Sequence, residues 1–363
     1  MSVQIVRRLM QGLGAMFLGV LLVELVLRIG FAAWVSFHGD LGCCSPGDEL
    51  CKAARVYNEF IQRVPPSGVL PFDERLGHRL APGLRNNSFS DGLNTNSAGA
   101  RGVREYADTP PAGVLRIVAV GDSYVFGQEV PDAGAFPAQL EAGWKDIEVL
   151  NLGTPAYGLD QAALMLELEG LRFHPKQVVV GMIGDDWIRA RSDFFCGAKP
   201  QVVRDNGSVV ITGTPVPSPD EIRLQVLGKP LVLILAGNLL HRLTSRYPGL
   251  LASPDDLDDR ATADAMMDRM ATSAGAAGAD TLFILMPFGA QRGGTYDREI
   301  FNSYCASRGA SCIDTSAFFE AEGDRLGSEA YASTYFSGVH LSVAGNKAVA
   351  NMIAARLGLD TKP

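Results

Sequence analysis

Four short stretches carry residue types that could work together chemically. Ser123 lies in Gly121-Asp122-Ser123-Tyr124, directly after the apolar run VLRIVAV at 114–120. A serine on a tight turn between strand and helix is exposed at a sheet edge, with the first helical N–H groups beside it to stabilise negative charge. His340, in FSGVHLSVAG, stands just ahead of a periodic apolar segment near the C-terminus. A hydroxyl and an imidazole in hydrogen-bond reach make a nucleophile and its general base. Between them lie NLGTPAYG at 151–158 and Gly184-Asp185-Asp186-Trp187, each closing an apolar run. Alone, Gly-Asp-Ser is more often an ordinary loop and cap than a nucleophile. The alternative for His340 is a satisfied histidine capping the last helix, which its flanking pattern makes the weaker reading, and Asp185 and Asp186 could as well cap the element after the third strand. Tyr124 and Trp187 read as core aromatics at strand ends, and His38, His78, His174 and His241 have no partner motif.

Those stretches terminate an α/β alternation. Apolar strands are expected at 114–120, from Ile147, from Gln177, from Thr281 and at SCID (311–314). Helical patterns fall around Phe136–Trp144, at Leu159–Leu171, through Ala263, Met266 and Met270, at Arg298–Arg308, and from Ser342 through Val349, Ile353 and Leu357. Ser253, Pro254, Asp255 and Asp256 read as the start of the third of these. Strand, helix, strand in that rhythm gives a parallel sheet with a buried centre, which binds ligands at the carboxyl ends of its strands. From 187 to 253 the rhythm breaks. A hairpin turns at Asn206 and Gly207, and LVLILAGNLLHRL at 231–243 is apolar but too short to cross a membrane. It is expected to belong to an insertion packing over the site. Residues 38–113, rich in Pro, Gly, Asn and Ser, read as a linker and irregular cap before a domain at 114–363.

These motifs, in this order, resemble the SGNH/GDSL hydrolase superfamily from about Pro71 to the C-terminus. The chain is most similar to membrane-anchored bacterial members in which an apolar helix precedes TNSxGxRG, here Thr95–Gly102, and then GDSxxxG, here Gly121–Gly127. The resemblance implies a three-layer α/β/α, flavodoxin-like domain with a central parallel sheet; no cofactor is expected, and no metal either, since no CxxC pair and no HxxxH accompanies the cysteines. It also implies that Ser123 attacks an ester carbonyl, that His340 takes its proton, and that the Ser123 N–H joins the oxyanion hole. The second and third oxyanion positions fall on Ala156, where the family has Gly, and on Asp185, where it has Asn. Ala156 keeps a backbone N–H. Asp185 exchanges an amide donor for a carboxylate, which could donate only if protonated in a dry pocket. Three residues before His340 the family has Asp and this chain has Ser337. A backbone carbonyl, Ser337, or an acid from elsewhere such as Asp314 must then orient the imidazole.

The location follows from the N-terminus. Leu9–Leu27 carries one charge, Glu24, and can span about 30 Å of hydrocarbon as a helix. Arg7 and Arg8 precede it, whereas Asp40, Asp48 and Glu49 follow, so the N-terminus is expected in the cytoplasm and the body outside it. Residues 1–37 then form a single-pass anchor in a bacterial inner membrane, contacting lipid through 9–35, with the catalytic domain periplasmic or extracellular. Glu24 and Arg28 lie on one helix face and are expected to pair. A cleaved signal peptide, using the small residues from Gly30 to Ala33, is the rival reading. Six cysteines suit an oxidising compartment. Cys305 is expected to pair with Cys312, and Cys196 with one of Cys43, Cys44 and Cys51.

Composition bounds the partners. A net charge of −8 and the absence of any basic run remove the electrostatic footprint of nucleic-acid binding. The expected substrate is an acyl ester, by family resemblance one on cell-surface carbohydrate. Hydrolysis, O-acetyl transfer to an envelope polysaccharide, and glycan binding without catalysis remain three outcomes for the same motifs.

Overall fold

The computed structural model describes residues 3–38, 42–45, 47–62, 68–246, 257–290 and 294–360. The chain divides into two compact units. One comprises 1–66, 194–198 and 217–254; the other comprises 67–193, 199–216 and 255–363.

In the larger unit five parallel strands form the central sheet: β1 (Leu115–Val120), β2 (Ile147–Asn151), β3 (Gln177–Met182), β4 (Asp280–Leu285) and β5 (Ser311–Asp314). Their order is β2-β1-β3-β4-β5. The two-residue period of a strand sends Val118, Val120, Leu150, Val178, Val180 and Phe283 to one face, where helices Leu159–Met165, Asp259–Ala276 and Thr295–Arg308 cover them. Ile117, Ala119, Val149, Val179, Leu282 and Ile284 face the opposite way. There helices Phe136–Gly143, Ser316–Leu326, Ser328–Tyr335 and Val343–Leu357 complete the third layer. The expected α/β/α domain is therefore present. Its strand order reverses between β1 and β3, the place where open sheets of this kind bind ligands. Arg116, the one charged residue of β1, is fully buried opposite Glu148 of β2, with Nε 2.8 Å from Oε2.

Several boundaries shift. The expected helix Leu159–Leu171 is α-helical only to Met165. It then widens into a π turn at Leu166–Gly170 and tightens into a 3₁₀ turn at Leu171–Phe173. Gly170 lies against Val118 of β1, and a Cβ there would stand 3.1 Å from that side chain. The proposed cap at Ser253–Asp256 lies outside the described residues; Asp258 caps this helix, accepting from the Ala261 N–H at 2.6 Å. The hairpin joins Gln201–Asp205 to Ser208–Thr212, with Asn206 and Gly207 both left-handed as such a turn demands. Ser342 caps the last helix.

The smaller unit is helical: Val3–His38, Glu49–Gln62, Pro219–Gly228 and Leu231–Arg246. Its core gathers Val35, Ala53, Ala54, Tyr57, Ile222, Val226, Leu231 and Ile234. Two disulfides, Cys43–Cys196 and Cys44–Cys51, staple it, and Cys305–Cys312 joins a helix to β5 in the larger unit. Both expectations for the cysteines agree with these pairings. Glu49–Gln62 is a regular amphipathic helix inside the segment read as linker and irregular cap; it buries Ala53, Ala54, Val56 and Tyr57 on one face. The segment 231–243, expected within an insertion over the site, forms a helix of this smaller unit. Met10–His38 is long and apolar enough to cross a membrane.

Candidate active site

Ser123 opens a single helical turn, Ser123–Phe126, at the carboxyl end of β1. Three local features hold it there. Asp122 caps the turn by accepting the Tyr124 N–H at 2.8 Å. Gly121 permits close approach to β3, since a Cβ on it would stand 2.2 Å from the Gly181 carbonyl oxygen. Gly127 ends the turn in the left-handed region, where glycine carries no steric penalty.

His340 arrives on a short ribbon, Phe336–Ser337 paired with His340–Leu341. Its Nε2 lies 2.9 Å from the Ser123 Oγ. Tyr124 fixes this approach: its hydroxyl donates to the Val339 carbonyl and accepts the Gly289 N–H at 2.8 Å. The two distant motifs of the sequence therefore meet, and both residues are buried.

The partner of the other imidazole nitrogen was missed. Nδ1 of His340 lies 3.1 Å from Oε1 of Glu129, six residues after the serine. A carboxylate only accepts, so Nδ1 carries hydrogen and Nε2 is left to accept from the Ser123 hydroxyl. Neither other candidate does this. Ser337 pairs with His340 only through the ribbon backbone. Asp314 is occupied at the end of β5 by Arg298 at 3.1 Å and Asn302 at 2.9 Å. Glu129 gets there by two backbone reversals, at Gly127 and at its own left-handed position. Arg101, from the TNSxGxRG segment, clamps that loop: it donates to the carbonyls of Phe126 at 2.7 Å and Val130 at 2.6 Å and pairs with Asp132 at 2.9 Å. Gly338 leaves room for the carboxylate, since a Cβ there would stand 2.7 Å from Glu129 Oε2. A glycine two residues before the histidine was the only trace of this in the sequence.

The Ser123 N–H, first in its helical turn, and the Ala156 N–H have no hydrogen-bond acceptor among the described residues. Ala156 sits at φ 67°, the left-handed conformation that glycine adopts more readily. Its turn is held by His78, whose Nε2 donates to the Pro155 carbonyl at 2.9 Å, and by the Tyr157 hydroxyl, which donates to the His78 carbonyl at 2.7 Å. Burial pushes the His78 imidazole below its ordinary range, favouring this neutral form.

Asp185, the third oxyanion position by resemblance, is not in a dry pocket. Its side chain is 51% exposed and lies 3.5 Å from Arg189. The dry carboxyl is its neighbour: Asp186 is buried, accepts the Ile183 N–H at 3.0 Å, and lies 3.0 Å from Arg189, which also stands 3.5 Å from the buried Asp122. Burial, and for Asp186 the nearby Asp122 charge, raise both carboxyls above the usual range. One helical position thus separates a solvent-facing acid from a core acid. Beside this helix start is a cavity of about 190 Å³ lined by Asp185, Met286, Pro287, Phe288 and Asp297 among others. Among the described residues no group of three or more His, Cys, Asp or Glu is placed to hold a metal ion.

No family model and no curated sequence matches the chain. Solved structures do. A lipase/acylhydrolase from Enterococcus faecalis is 15% identical, with a TM-score of 0.38 over 69% of this chain and 100% of that one. A lipolytic protein of the G-D-S-L family from Desulfitobacterium hafniense is 13% identical, with a TM-score of 0.37 over 67% of this chain and 99% of that one. A mutant of an acetylxylan esterase from Geobacillus stearothermophilus is 14% identical, with a TM-score of 0.38 over 68% of this chain and 95% of that one. At such identity and overlap the chemistry has to be argued from the site itself.

Proposed function

We propose that this chain is a membrane-anchored serine ester hydrolase of the SGNH/GDSL type, acting outside the cytoplasm on O-acylated carbohydrate. The observation that carries the reading is the continuous relay from Glu129 through His340 to Ser123, with contacts of 3.1 and 2.9 Å.

The mechanism follows from the donors and acceptors. His340 Nε2 accepts the Ser123 proton as Oγ bonds to the ester carbonyl carbon, and the imidazolium is stabilised by Glu129. The carbonyl oxygen, now negative, is held by the Ser123 and Ala156 N–H groups. Each such donor is worth roughly 10² to 10³ in rate. Nε2 returns its proton to the departing alcohol, leaving an acyl-Ser123 ester. A water, or a sugar hydroxyl in a transferase, then loses its proton to His340, attacks the acyl carbon and releases Ser123.

The extracytoplasmic placement is supported by the disulfides and by the apolar N-terminal helix. The carbohydrate class is taken from the family resemblance, with the named esterase as a parallel. The completed Ser-His-Glu arrangement favours catalysis over glycan binding alone. Labelling of the full-length protein by a fluorophosphonate probe between about pH 6 and 9, where a histidine base is in its working range, tests this reading. Labelling at Ser123 supports it, and none at that residue overturns it.

A further inference from the structure

We propose that the helix Leu231–Arg246 is embedded in the outer leaflet of the bilayer that the N-terminal helix crosses, its exposed face against glycerophospholipid acyl chains. This rests on the membrane-anchor reading above and adds a second lipid-contacting element to it.

The first argument is composition around the helix. Leu231, Ile234 and Asn238 form the stripe that packs inward. Of the other positions from 232 to 243, Val232, Leu233, Ala236, Gly237, Leu239, Leu240 and Leu243 are exposed and apolar, Leu235 and His241 are half-buried, and Arg242 is the one exposed charge. Leu233 is 63% and Leu239 61% exposed. A helix apolar on every side belongs in a core or in lipid, not in water. The preceding helix makes the contrast: Pro219–Gly228 exposes Asp220, Glu221 and Gln225 and buries Ile222 and Val226, as a water-facing helix does.

The second argument fixes the depth. The two helices meet at a 95° bend, which leaves the last carbonyls of one and the first N–H groups of the other without intrahelical partners. The spanning helix satisfies both. The Glu24 carboxylate accepts the Leu231 N–H at 2.7 Å and the Val232 N–H at 3.4 Å. Arg28 donates to the Leu227 carbonyl at 2.8 Å and the Lys229 carbonyl at 2.7 Å, and pairs with Glu24 at 2.7 Å. Glu24 stands at the middle of the apolar stretch Met10–His38 and Arg28 one turn further out, so the bend packs against the outward half of the span and the second helix starts there. Its apolar run of about 13 residues reaches only about 20 Å, too short to span but suited to lying in the interface. The same network explains why a glutamate is tolerated in the apolar stretch: its oxygens cap a helix and bind an arginine.

The test uses tryptophan reporters in the full-length chain, carrying Trp34→Phe, reconstituted into phosphatidylcholine nanodiscs with or without bromine on the acyl chains. Leu240→Trp should lose fluorescence to the bromolipid, as Val20→Trp in the spanning helix does. Leu224→Trp, on the water-facing helix, should instead be quenched by aqueous iodide. Quenching of Leu240→Trp by iodide and not by bromolipid overturns the proposal, and quenching by neither means that protein covers the face and overturns it equally. If Val20→Trp also escapes the bromolipid, the anchor reading itself fails.

Discussion

Two groups of acids flank Ser123, and they are built in opposite ways. Glu129 reaches His340 from a loop, keeps about a third of its side chain (36%) in solvent, and faces one nitrogen. Asp122 and Asp186 are buried on either side of Arg189, with their proton affinities raised by burial. A carboxylate that must stay ionised to support an imidazolium is best left hydrated on one side. A carboxylate that only shapes a turn can be dry, provided a guanidinium compensates it. In the proposed mechanism the site takes its chemistry from the exposed acid and its architecture from the buried pair.

The comparison breaks first if the serine is not the centre. Ser123→Ala and His340→Ala should each lose about 10⁴-fold or more in ester turnover, and the double variant should be no slower than either, because the pair acts as one unit. Additive losses in steady-state kinetics would separate the two residues. Next, Arg189→Met leaves Asp122 and Asp186 without their counter-charge, and should cost about 3–5 kcal/mol of stability in urea unfolding. A loss below about 1 kcal/mol would mean the buried pair does not depend on it. Glu129→Gln should lower kcat by about 10² to 10³, less than for a fully buried triad acid because solvent shares the work, while the unfolding midpoint stays put. A kcat within about threefold of the parent would remove Glu129 from the relay.

The buried acids also carry a pH signature. Their folded-state affinities for protons exceed those of the unfolded chain, so the folded state holds more protons above the ordinary carboxylate range. Stability should then fall as pH rises from about 4 through the raised range. Asp186→Asn should flatten that fall, as read from urea midpoints at a series of pH values, and an unchanged slope would contradict its burial. The smallest effect is expected at Asp185, which is solvent-facing and already beside Arg189. Asp185→Asn should change turnover by less than about threefold, whereas a gain approaching the worth of an oxyanion donor, about 10²-fold or more, would place that side chain at the developing charge.

Much of this was legible in the sequence for a physical reason. Ser123 and Ala156 follow the ends of apolar strands and His340 just precedes the last helix, and strand periodicity shows in single residues such as Val118 and Ile117. Glu129 was not legible, because its reach depends on two left-handed residues and on the missing side chain at Gly338, none of which has a periodic signature. Asp185 and Asp186 are neighbours of one type, separated only by which side of a helix start faces the core. The helix 231–246 was visible as apolar, but its unit is defined by hydrogen bonds to Glu24 and Arg28, about two hundred residues away.

The central claim is that Ser123 carries the acyl group with His340 as its base and Glu129 behind it. Acid-quenching the full-length protein during turnover of a p-nitrophenyl acetate pulse, then mapping acetylated peptides by mass spectrometry, addresses it most directly. Acetyl should appear on the peptide bearing Ser123, accumulate more slowly in Glu129→Gln and vanish in His340→Ala. Acetyl on another residue, or undiminished acetylation of Ser123 in His340→Ala, would contradict it.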